Sequence, residues 1–133
     1  MGILIDASVL IDHERGRSDL ENRVAGREDE PFYLSVITVS ELLHGVHRAD
    51  TPSRRAHRSV FVEAVIDRFP LLPLDLPTAR IHAETGAQLT ADGQTIGAHD
   101  LWIAAAALAH GLTLVTANLR EFRRVPGLDV EEW

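Results

Sequence analysis

Two kinds of pattern alternate along the chain: short apolar runs that stop at a polar residue, and longer stretches in which apolar residues recur three and four positions apart. Gly2 to Ile5 and Tyr33 to Ile37 are of the first kind and read as buried strands. Leu71 to Leu74, Leu112 to Val115 and a weaker Leu128 to Val130 supply three more. Helical spacing covers Val39 to Ala49, Arg54 to Phe69, Thr78 to Thr90 and His99 to His110, and a first helix ends in the charged run Asp12-His13-Glu14. Strand followed by helix, repeated, implies right-handed crossovers and a parallel sheet covered on both faces. The pattern therefore predicts an α/β chain: a three-layer α/β/α fold around a central, mainly parallel five-stranded sheet. Pro52, Pro70, Pro77 and Pro126 fall between the predicted elements, where a residue without an N–H is tolerated. The polar stretch Arg15 to Glu30 is expected to be the most mobile part.

Composition narrows the chemistry. With 133 residues, 45% hydrophobic and 25% charged, the chain is expected to form one domain over residues 1–133. It contains no cysteine, which excludes disulfide scaffolds, thiolate zinc sites, iron-sulfur clusters and cysteine nucleophiles; a metal would have to be held by oxygen or imidazole. The start of the chain has no basic segment followed by a long apolar run, and no stretch approaches the roughly 20 apolar residues of a membrane helix, so a cytoplasmic protein with no membrane partner is expected. The net charge of -7 argues against simple electrostatic coating of nucleic acid, leaving local basic patches or bridging cations as the routes to it. All thirteen basic residues are arginine, a bias consistent with a GC-rich source.

In an open parallel sheet, ligands gather at the carboxyl ends of the strands. Four polar residues stand there. Asp6 follows the first strand, Glu41 is placed in the first turn of the helix after the second, Asp100 opens the alanine-rich helix, and Asn118 follows Leu112 to Val115 through Thr116. Each also suits a helix N-terminus, and both Thr38-Val39-Ser40-Glu41 and Asn118-Leu119-Arg120-Glu121 fit capping boxes. Taken jointly, three carboxylates and an amide oxygen on neighbouring strand ends would share one cleft and repel one another unless partly neutralised. A hard divalent cation, Mg²⁺ or Mn²⁺, removes that penalty with oxygen ligands and retained waters, an arrangement suited to phosphodiester hydrolysis.

The same segments carry a family resemblance. Ile3-Leu4-Ile5-Asp6-Ala7-Ser8-Val9-Leu10-Ile11 and Val39-Ser40-Glu41-Leu42-Leu43-His44-Gly45-Val46 resemble the start of PIN-domain ribonucleases. Ala98-His99-Asp100-Leu101-Trp102-Ile103-Ala104-Ala105, then Leu114-Val115-Thr116-Ala117-Asn118-Leu119-Arg120-Glu121-Phe122 and Val125-Pro126-Gly127-Leu128, continue the match in order and spacing. Together they resemble the VapC branch, the toxin half of VapBC toxin-antitoxin pairs. The resemblance implies a Mg²⁺- or Mn²⁺-dependent endoribonuclease of the PIN fold that cuts cellular RNA, with tRNA a candidate, to inhibit translation. It also implies a homodimer and a hetero-oligomer with a cognate VapB-type antitoxin. By position, Asp6, Glu41 and Asp100 match the family's acidic metal-site residues. Asn118 occupies the fourth catalytic position, where aspartate is also common, so the site would hold three formal negatives. Ser8 and Thr116 match hydroxyl positions that orient ligands or water, or else satisfy backbone groups.

Other residues carry weaker signals. His44 follows Glu41 at i+3, but a bundle-type metal site needs that motif twice. His99 could face the cleft as a substrate contact, though an exposed loop position accounts for it better. Arg48, Arg54, Arg55 and Arg58 form one basic group and Arg120, Arg123 and Arg124 another. Solvated surface is the default for both, and Arg120, nearest the cleft, is the candidate RNA contact. A catalytically silent PIN-like module that binds RNA or protein is the alternative, and the intact acid set disfavours it. A phosphotransfer receiver is excluded by the want of any lysine.

Overall fold

The computed structural model describes residues 2–133. Among the described residues, five strands alternate with seven helices: β1 (Ile3–Ile5), α1 (Ala7–Glu14), α2 (Leu20–Ala25), β2 (Phe32–Ser35), α3 (Val36–His47), α4 (Pro52–Arg68), β3 (Leu71–Leu72), α5 (Leu76–Ala91), α6 (Ala98–His110), β4 (Thr113–Thr116), α7 (Leu119–Phe122) and β5 (Val130–Glu132). The strands run in the order β3-β2-β1-β4-β5, and every pairing is parallel.

Side-chain alternation along the strands divides the interior into two cores. Ile3, Ile5, Phe32, Leu34 and Val115 face one way, against Val9 and Leu10 of α1, Leu20 of α2, Leu42 of α3 and Val62 of α4. Leu4, Leu114 and Tyr33 face the other, against Leu89 of α5, Ile103, Ala104 and Ala107 of α6, and Phe122 of α7. Both layers of helices are thus fixed by residues one apart in β1 and β4, and the expected α/β/α sandwich is the observed one.

Helix starts differ from those read in the sequence, for a local reason. Ser35, the last residue of β2, accepts a hydrogen bond from the backbone N–H of Ile37 at 3.1 Å, so α3 begins at Val36. The apolar Val36 and Ile37, read as strand, belong to its first turn, and Thr38 and Glu41 lie inside the helix instead of forming a capping box. Three other helix ends are closed by local caps. Thr51 caps α4 with Pro52 behind it, Asp75 caps α5 through Thr78, and Gly111 ends α6 in the left-handed conformation at φ 63°. Within Arg15 to Glu30, α2 buries Leu20, and Arg27 pairs with Glu30 and, at 2.8 Å, with Glu131 of β5.

The chain builds outward from β1 to β2 and β3, then returns through α5 and α6 to place β4 on the other side of β1. Successive connections leave β1 and β4 toward opposite faces, which opens a crevice at their carboxyl ends. Asp6 and Asn118 stand at its two sides.

Candidate functional site

Asp6 occupies the residue between β1 and α1, and its backbone N–H is held by the Val115 carbonyl at 3.0 Å. The side chain makes no cap bond to α1. Instead its Oδ2 accepts from the hydroxyls of Ser8, at 2.6 Å, and Thr116, at 2.9 Å, which leaves Oδ1 without a protein donor among the described residues. Asp6 is only 5% exposed, so a carboxylate has been buried and aimed without being neutralised by an arginine. The two hydroxyls do both jobs open to them in the sequence: while oriented on Asp6, Ser8 Oγ accepts from the Ala117 N–H and Thr116 Oγ1 from the Asn118 N–H, each at 3.0 Å.

Glu41 reaches the same crevice from the second turn of α3. Its Oε1 is buried with no hydrogen-bond partner among the described residues, and the imidazole Nδ1 of His99 lies 3.5 Å away, too long for a good hydrogen bond. Burial, then the Asp6 charge, pushes the Glu41 carboxyl above its ordinary range, and His99 offsets part of that rise. His99 lies in the first turn of α6, beside the acids, not on a detached loop.

Asp100, in that same first turn, is pushed up to about 7, first by burial, then by a hydrogen bond with Glu121 and by the charges of Asp6, Glu121 and Glu41. Glu121 moves the opposite way, lowered by the proton that Asp100 offers and by the Gly97 N–H, which donates to Oε2 at 3.4 Å. The two carboxyls therefore titrate as a pair. Sequence spacing assigned Glu121 to a capping box with Asn118, but Asn118 makes no side-chain cap bond. A fourth carboxyl, Glu121, stands beside Asp100, supplied by α7 one turn beyond Asn118. The signal was the acid three residues after Asn118, masked by an equally good capping explanation. Asn118 itself is exposed, held at its backbone by Thr116. Arg120 is exposed on α7, and its charge acts on Glu121.

Asp6, Glu41 and Asp100 thus sense one another electrostatically from three separate elements. Among the described residues, no three histidine, aspartate or glutamate side chains are grouped so that together they could hold a metal ion. A hard divalent ion bound here would therefore rest on one or two carboxylates and keep several waters. The donor set fits such an ion on two further counts: it offers oxygen ligands, and one buried Glu41 oxygen lacks any partner. No helix among the described residues is long and apolar enough to cross a membrane.

The family profile of the PIN domain matches residues 3–128. The chain is 35% identical over 133 residues to ribonuclease VapC1 of Rickettsia felis, covering 98% of this chain and 95% of that one. It is 37% identical over 100 residues to the tRNA(fMet)-specific endonuclease VapC of Salmonella typhimurium, covering 75% and 74% of the two chains. Among solved structures, a chain of DNA-bound VapBC from Salmonella typhimurium superposes with a TM-score of 0.89 at 30% identity, covering 100% of this chain and 98% of that one. VapBC2 of Rickettsia felis, bound to a promoter DNA fragment, shares the fold at a TM-score of 0.91 and 24% identity over 100% of this chain and 99% of that one. With the acids arranged at the β1–β4 crevice of an all-parallel α/β/α sheet, this chain belongs to the PIN-domain family, in its VapC branch.

Proposed function

We propose that the protein is a metal-dependent endoribonuclease, the toxin of a toxin-antitoxin pair, hydrolysing phosphodiester bonds of cellular RNA and so inhibiting translation in the cytoplasm. The observation that carries this reading is the set of carboxyls from β1, α3, α6 and α7 brought to one crevice, with Asp6 oriented by two hydroxyls and a Glu41 oxygen buried without a partner. The relatives named as ribonucleases, one of them a tRNA(fMet)-specific endonuclease, support RNA, with tRNA the first candidate. Structural likeness to VapBC complexes supports a VapB-type antitoxin as the partner, with toxin homodimers inside a larger assembly.

Asp6, Asp100 and, directly or through water, Glu41 would hold Mg²⁺ or Mn²⁺. When bound, such an ion supplies charge at the phosphoryl oxygen and lowers the pKa of water. The protein's own residues do the rest. Ser8 and Thr116 hold Asp6 in one orientation, so a ligand oxygen is presented without an entropic cost at the moment of binding. Asp100, raised to about 7 by burial and the neighbouring acids, would ionise to bind such an ion, its proton passing to solvent, and Glu121 stands beside it as a second acid. Asn118 adds an uncharged oxygen at the rim, and Arg120 offers a guanidinium to the RNA backbone.

The test is incubation of purified protein with total RNA in Mg²⁺ or Mn²⁺, mapping new 5′ ends, beside Asp6→Asn and Asp100→Asn. Discrete ends that vanish in both variants are expected. Equal cleavage by the variants would relocate the active centre.

A further inference from the structure

A groove of about 530 Å³ runs between α3, the end of α1 and the start of α4. Glu41 lines it, so the groove opens directly onto the acid cluster. Its other polar walls are Arg15, His44, Arg48, Asp50, Arg54 and Arg58. In a chain with a net charge of -7 this concentration of guanidinium groups is out of proportion. Arg54 is neutralised by Asp50 at 2.8 and 2.9 Å, whereas Arg15, Arg48 and Arg58 have no carboxylate at salt-bridge distance among the described residues. Arg58 is also preset: its Nη1 donates to the Gly45 carbonyl at 3.0 Å, which fixes the plane of the group and leaves its other N–H donors unused.

We infer that this groove is the track for the RNA backbone flanking the cleaved bond, with Arg15, Arg48 and Arg58 contacting phosphates and Glu41 marking where the strand enters the acid cluster. The inference rests on the ribonuclease reading. An acidic protein repels RNA at long range, so productive approach requires a local cationic path to the acids. Arginine forks match phosphate oxygens two at a time, and from Glu41 to Arg48 the track follows α3 for about 10 Å at the α-helical rise. The arginines on and after α7, Arg120, Arg123 and Arg124, form the rival group, with Arg124 donating to the Thr95 carbonyl at 2.8 Å. What sets the α3–α4 group apart is that its arginines wall a groove that leads to Glu41.

The experiment measures binding of a fluorescent single-stranded oligoribonucleotide to the full chain in EDTA, across a salt series, and then cleavage kinetics with Mn²⁺. Arg15 and Arg48 are exposed, so the Arg15→Gln/Arg48→Gln protein should fold; Arg80→Gln, on the exposed side of α5, is the control. The double variant should bind about tenfold more weakly and flatten the slope of log K against log salt by about 1.4, two phosphate contacts' worth on a single strand. Its KM should rise while kcat holds, and the control should match the unsubstituted protein. An unchanged salt slope in a double variant that still cuts RNA would overturn the track and leave the ribonuclease reading standing. Intact RNA binding with lost affinity for an acidic peptide would overturn it in favour of a protein-docking groove. An unsubstituted protein that neither binds nor cuts RNA would overturn both readings.

Discussion

Thr116, the last residue of β4, donates its hydroxyl to the Asp6 carboxylate at 2.9 Å although the two lie 110 positions apart in the chain. The parallel pairing of Ile5 with Val115 sets this contact, since it puts the next residue of each strand side by side. Asp6 is thus aimed by sheet register through Thr116 as well as by Ser8 of the helix that follows it.

Removing that hydroxyl should affect chemistry more than folding. Thr116→Val keeps the shape and loses the donor; it is expected to reduce RNA cleavage roughly 10- to 100-fold, the usual range for loss of a group that orients a ligand. Stability should fall by about 1–2 kcal/mol, because Ser8 still holds the carboxylate. Thr116→Ser should keep most activity. Cleavage rates and denaturant melts on the two variants check this, and a fully active Thr116→Val would remove Thr116 from the machinery.

The raised Asp100 carboxyl makes stability depend on pH in the less usual direction. An unfolded aspartate ionises near its ordinary 3.8, whereas Asp100 holds its proton to about 7. Between those values the folded protein binds more protons, so the stability of the metal-free protein falls as pH rises from about 4 to 7 and stays reduced above. Asp100→Asn abolishes the penalty. Because Asp100 is only half-buried, the gain at pH 8 is about 1–2 kcal/mol after allowing for solvent screening, or roughly 4–8 °C in Tm. Melts in EDTA at pH 4 and pH 8 should show the variant ahead at the higher pH alone; a variant melting lower at pH 8 would contradict the assignment.

Glu121 and Asp100 titrate together, so each variant should report on the other. Glu121→Gln removes a charge and replaces the carboxylate acceptor with a weaker amide oxygen, and the charge and the strong acceptor both raise Asp100. The Asp100 carboxyl should then ionise at lower pH, and the acidic limb of Mn²⁺ binding, followed by calorimetry, should shift to lower pH with it. No shift would separate the two groups.

Cation removal should silence cleavage, and cation return should both restore it and stabilise the fold. At about 100 times its Kd a ligand confined to the native state adds about 2.7 kcal/mol. Glu41→Gln should lose much of that gain while retaining its fold, since the Glu41 Oε1 has no protein partner to forfeit. Thermal shift against Mn²⁺ concentration measures it, and a full Mn²⁺ response in Glu41→Gln would place the ion elsewhere.

Strand formers, helix periodicity and strand-end acids were legible in the linear sequence because they are local. Ile3-Leu4-Ile5 must be buried on both faces, the spacing in α6 must pack on one side, and Asp6, Glu41 and Asp100 must fall where such elements end. Their order and spacing also sufficed for the family resemblance. Three things were decided only by the fold. Ser35 outcompeted Thr38 as the start of α3, because the end of β2 pairing determines where the turn can begin. Glu121 became a partner of Asp100 in place of a cap, because α6 and α7 meet at the return crossover. Arg15, Arg48 and Arg58 became walls of one groove because α1, α3 and α4 share one face of the sheet. Chain spacing specifies which face a side chain takes within its own element; which distant elements then adjoin depends on strand order and crossover, and those are properties of the assembled sheet.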